Sequence, residues 1–92
     1  MLFVALGKGK TGTVEERSAR RIEWAPPEGA GEAVAEYWLQ GIDPAVVGVF
    51  KADHISQIWA MLSGWHDVLD FNVYPAVEAG EGVELLKQML DV

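Results

Sequence analysis

The chain has 92 residues, half of them hydrophobic, no cysteine and a formal net charge of −7. That length makes one domain spanning residues 1–92, and the composition excludes disorder, a disulfide framework and thiolate chemistry. With seven Lys and Arg against fourteen Asp and Glu, the chain lacks the basic face that a phosphate backbone requires, so nucleic acid is not an expected partner.

The apolar start, Met1 to Leu6, is too short for a secretory leader. No stretch approaches the roughly 20 apolar residues of a membrane span, and a cytoplasmic protein without membrane attachment is expected. Leu2 to Leu6 reads as a covered strand, and Gly7 to Gly12 as a turn. Thr13-Val-Glu-Glu16 fits a capping box for a helix from about 14 to 24, with Val14, Ser18, Ile22 and Ala25 on its apolar face. Arg17, Arg20 and Arg21 then form a solvated face paired with Glu16 and Glu23. Pro26-Pro27 ends the helix, because neither residue donates an amide.

Ala33 to Gln40 alternates as a second strand, with Ala33, Ala35, Tyr37 and Leu39 on one face and Glu36 and Trp38 on the other. Gly41 to Pro44 is a turn, and Ala45 to Ala52 a third strand hairpinned to the second. Asp53 is the expected N-cap of the next helix. Its apolar stripe takes in Ile55, Ile58, Trp59, Leu62, Trp65, His66 and Leu69 if Gly64 leaves the helix unbroken. Phe71 to Val77 is a fourth strand, which Pro75 confines to a sheet edge or a bulge. A polar turn, Glu78 to Gly82, leads to a last amphipathic helix, Val83 to Leu90, too short to persist undocked.

This order, βαββαβ plus a terminal helix, predicts an α+β, ferredoxin-like fold. It has a four-stranded antiparallel sheet, strands two and four at its edges and helices on one face. The uncovered face asks for a partner, and a second copy of the chain is expected there, making a homodimer through the open sheet face.

The segment Trp65-His-Asp67-Val-Leu-Asp-Phe71-Asn-Val-Tyr-Pro75-Ala-Val77, with Arg20-Arg21-Ile-Glu-Trp24-Ala-Pro-Pro-Glu-Gly29 and Glu36-Tyr-Trp38, resembles a family of short proteins classed as a domain of unknown function. The resemblance spans nearly the whole chain. It implies a compact ferredoxin-like domain of the dimeric α/β-barrel type and carries over no catalytic residue. The wider dimeric α/β-barrel group includes haem-degrading and quinone-forming monooxygenases, small isomerases and regulatory ligand-binding modules. Its haem-degrading members use an Asn on the first strand with a Trp and a His near the second helix. Here Leu2 to Leu6 holds no Asn, Asn72 falls on the fourth strand, and Trp59 and His66 depart from the usual spacing. No haem or other cofactor is expected.

Among candidate groups, Gly9-Lys10-Thr11 resembles the end of a P-loop, but position 4 is Val where that motif needs Gly, and it reads as a βα turn. His66 is the candidate catalytic base, with Asp70 one helical turn on to orient it. His54, beside Asp53 in a first helical turn, reads as a neighbour of the cap. Tyr37, Trp38, Trp59, Trp65 and Tyr74 are candidate walls of a pocket for a small apolar or aromatic ligand, although aromatics at these spacings also serve as core or interface. Two His residues and scattered acids match no metal-ligand spacing. Three functional classes follow: a homodimeric binding module, a cofactor-free monooxygenase or isomerase using His66, and a purely structural or partner-binding subunit.

Overall fold

The computed structural model describes residues 1–90. The elements run β1 (Leu2–Gly9), α1 (Val14–Glu23), β2 (Glu32–Trp38), β3 (Val46–Lys51), α2 (Ile55–Leu62), a single 3₁₀ turn (Ser63–Trp65), β4 (Leu69–Ala76) and α3 (Ala79–Leu90). The strands form one antiparallel sheet in the order β2-β3-β1-β4. This is the ferredoxin-like topology, and Pro75 lies on edge strand β4, where its missing amide costs no ladder bond.

Strand alternation sorts the sheet into two faces. Phe3, Ala5, Val46, Phe50 and Leu69 point toward the helices and are buried; Val4, Leu6, Val47 and Val49 point to the other face and are only half-buried. The core is built in two adjoining parts. Phe3, Phe50, Ile58, Met61 and Leu62 form one, Val46, Trp65, Val68 and Leu69 the other, and Trp24 and Phe71 pack against both. Ile58 and Leu69, almost fully buried, each contribute about 1.5–3 kcal/mol of apolar burial.

β1 runs on through Gly7-Lys8-Gly9, where a turn is expected from the sequence. These glycines mark close approaches. A Cβ on Gly7 would lie 2.6 Å from the Val46 side chain, and one on Gly9 2.8 Å from the Arg17 guanidinium. The turn itself narrows to 10–13 and hinges on Gly12, whose φ of 77° favours glycine.

α1 presents the opposite face from the one its apolar residues predict. Ile22 is 84% exposed and Val14 also faces solvent, whereas Arg17 is 6% exposed. The inward stripe is Thr13, Arg17, Arg20, Arg21 and Trp24, helically spaced but not apolar. Long arginine stems cover apolar surface while their heads find partners at the edge. Thr13 makes no capping box. Its hydroxyl donates to the Lys10 carbonyl at 2.7 Å and accepts from Arg17 Nη1 at 2.7 Å.

β2 carries a bulge between Ala33 and Ala35, so Ala33 shares the helix-side face with Glu36 and Trp38, while Ala35 and Tyr37 face the open side. The N-cap of α2 is His54, one residue later than expected. Gln57 Oε1 accepts from the amides of Asp53 at 2.7 Å and His54 at 3.1 Å. α3 starts at Ala79, absorbing most of the expected polar turn, and none of its residues is buried.

Candidate functional site

A cavity of about 190 Å³ lies between the helix-side face of the sheet and the helices. Its floor exists because small residues meet there. Ala5 and Gly48 are cross-strand partners, and the Phe50 ring lies where a Gly48 side chain would be, 2.6 Å from the ideal Cβ position. The walls are Phe50 and Phe71 from the sheet, Met61 and Leu62 from α2, and Trp65 from the 3₁₀ turn. Trp24 stands edge-on to Trp65 with ring centroids 6.0 Å apart, and Trp38 is tilted against Trp65 at 6.2 Å. Such aromatic pairs add to the burial of the rings themselves.

The rim is polar. Arg21 grips Glu36 through Nε at 2.6 Å and Nη2 at 3.1 Å, and the Trp38 indole N–H donates to the same carboxylate. The Arg21 hydrogen bonds hold Glu36 below its usual carboxylate range against the opposing effect of burial, with Trp38 assisting. Glu36 in turn raises Arg21. Arg21 also lies over the Trp24 ring at 5.7 Å, as Arg20 lies over Trp65. The cavity is thus apolar inside and ionic at one edge.

A second ionic cluster locks α1 to the segment after α2. Arg20 forms a bidentate pair with Asp67 at 2.7 and 2.8 Å, donates to the Gly64 carbonyl at 2.8 Å and to Glu16 at 2.7 Å. Arg20 pulls the Asp67 carboxyl down to about 2. Of the pairs expected for the arginines, that of Arg20 with Glu16 forms; Glu23 makes no ion pair among the described residues. Arg17 has no carboxylate partner there. It donates instead to Thr13 Oγ1 and, at 3.4 Å, to the Lys10 carbonyl.

The sequence-derived candidates separate into three places. Trp38 and Trp65 line the cavity. Tyr37 and Tyr74 project from the open sheet face, Tyr37 opposite Val47 and Tyr74 opposite Val4. Trp59 and His66 sit together on the outside of α2, with centroids 6.5 Å apart, and both are exposed. His66 is absent from the cavity lining, and Asp70 pairs with Lys10 at 3.7 Å rather than orienting the imidazole. The cause is the 3₁₀ turn. Tightening to about three residues per turn keeps Trp65 in line with Leu62 and carries His66 away from the stripe of an unbroken α-helix. His54 is itself the N-cap of α2, not the neighbour of the cap that the sequence suggests.

Trp24, Arg21 and Glu36 belong to the site although none was singled out from the sequence as a pocket residue. The signal for Trp24 was the spacing Arg17, Arg21, Trp24, legible only when arginine stems count as burying surface. The pairing of Arg21 with Glu36 joins residues fifteen apart and has no local sequence signal. Among the described residues, no group of three or more His, Asp or Glu converges as a metal site, and no helix is long and apolar enough to cross a membrane. No curated protein and no solved structure matches the chain. Residues 1–90 match the family described as Domain of unknown function (DUF3303), and the chain belongs to that family.

Proposed function

We propose that this protein is a small binding module that takes one aromatic ring, or an apolar group of similar size, into the cavity between sheet and helices. The observation that carries this reading is the cavity's volume of about 190 Å³ with its three indoles and Arg21–Glu36 rim. An apolar cavity of about 150 Å³ is known to admit benzene, so the space suits one ring. Arg21 and Glu36 would meet a polar substituent at the edge.

The module works as a homodimer associated through the open sheet face. Supporting this is the apolar centre of that face, Val4, Leu6, Val47 and Val49, flanked by Tyr37 and Tyr74. The enzymatic alternative depends on His66, which lies outside the cavity.

Titration with toluene, phenol and benzoate, followed by tryptophan fluorescence and saturation-transfer NMR, tests the ligand reading. Saturable binding by at least one probe is expected. It should be lost in Gly48→Val, whose side chain enters the floor beside Phe50, once circular dichroism has verified the fold. If none of the three probes binds the unaltered protein, the ligand reading fails.

A further inference from the structure

We propose that α3 is an exchanged arm whose apolar stripe docks on the open sheet face of a second copy of this chain, each protomer covering the other. The proposal rests on the homodimer reading above and names what lies in its interface.

α3 is amphipathic. Ala79, Val83, Leu86 and Leu90 recur at helical spacing along one side, flanked by Lys87 and Met89, with Glu81, Glu84 and Leu85 on the other. Val83, Leu85, Leu86, Met89 and Leu90 are all exposed. A helix of this length is marginal in water, and Gly80 and Gly82 weaken it further, by about 1 kcal/mol each. It requires a surface that the isolated chain does not give it.

The dimensions of the molecule indicate how much surface is missing. Its radius of gyration is 15.2 Å and its principal extents are 53 × 30 × 16 Å. A compact domain of this length has a radius of about 12 Å. The accessible surface is 6344 Å², against roughly 5,300 Å² for a compact monomer of the same mass. The surplus, roughly 1,000 Å², is close to the ~800 Å² per partner that a stable interface buries.

The open face of the same chain has matching dimensions. Four strands spaced about 4.8 Å apart make it roughly 19 Å wide, and α3 is about 18 Å long. On this face Lys8 stands opposite Asp70 and Lys51 opposite Glu32, so its charges balance and its apolar centre is what asks to be covered. The chain leaves β4 through Val77 and Glu78 alone. Two-fold symmetry then yields two equal arm-to-face contacts in a closed dimer.

The test is light scattering on the full chain at micromolar concentration, beside an arm variant (Leu86→Asp/Leu90→Asp) and a face variant (Tyr37→Asp/Tyr74→Asp). All four positions are exposed in the single chain, and circular dichroism checks that each variant folds. The unaltered chain should give a particle of twice 10.1 kDa, each variant alone a monomer, and an equimolar mixture of the two a heterodimer held by the one intact arm-to-face contact. Amide exchange over residues 83–90 should be about 100-fold faster in the face variant than in the unaltered protein. An arm variant that stays dimeric overturns the exchanged arm and leaves the open-face homodimer standing. A mixture that does not associate, or exchange over 83–90 indifferent to the face substitutions, also overturns the arm. If the unaltered chain is itself a monomer, the homodimer reading fails and the arm with it.

Discussion

Trp65 and Trp59, six positions apart, do opposite things. Trp65 is 4% exposed and touches Trp24, Trp38 and the Arg20 guanidinium; Trp59 is 48% exposed and leans on His66. Truncating Trp65 removes a ring from the core part it shares with Val46, Val68 and Leu69, so Trp65→Ala should cost about 3–5 kcal/mol in urea unfolding. Trp59→Ala should cost less than about 1 kcal/mol, as surface substitutions do. Equal losses at the two positions would contradict the assignment of Trp65 to the core. Both indoles fall on the broad stripe that an unbroken helix predicts, but Trp65 lies in line with the buried Ile58 and Leu62, whereas Trp59 lies about 100° round α2 from Ile58, at the stripe's edge. Gly9 and Arg17 show the same dependence on packing. A glycine inside a strand looks like a turn until the guanidinium above it is seen.

At the scale of elements, α1 is fastened by ion pairs as well as by the burial of its arginine stems. Arg20 ties it to Asp67 after α2, and Arg21 ties it to Glu36 on β2. Both carboxyls are held below their unfolded range, Asp67 to about 2, chiefly by the arginine facing each. A depressed carboxylate contributes stability that is present in full above its unfolded value of about 4 and is lost as the pH falls through its folded value. Stability should therefore be level around neutrality and decline from about pH 4 toward pH 2. In Asp67→Asn/Glu36→Gln, stability should be lower at pH 7 and nearer to the unaltered protein at pH 2.5, as read by urea midpoints at each pH. Parallel pH profiles for the two proteins would show that these pairs do not fasten α1. The helix itself, its start near Val14 and its end before the prolines are legible from local signals; its orientation is not. Val14 and Ile22 mark an apolar face, but a stripe of three arginines with Trp24 finds partners on the sheet edge and on the segment after α2, and so it turns inward.

For the whole molecule, the open sheet face and α3 make association the central expectation. If the folded state is a dimer, its unfolding depends on concentration. The thermal midpoint should rise by several degrees between 1 and 100 μM protein, and a midpoint independent of concentration would speak for a monomer. The sequence by itself determined the order of elements, the antiparallel four-stranded sheet and the edge position of β4. These follow from local rules: alternation, helical spacing, turn residues and a proline that cannot donate. Only the tertiary structure decided which face of α1 is buried, where His66 points and that Trp24, Trp38 and Trp65 gather around a cavity. Those outcomes depend on contacts between residues far apart in the chain, where a bulge at Ala33–Ala35, a tightened turn at Trp65 and missing side chains at Gly9 and Gly48 set what can touch.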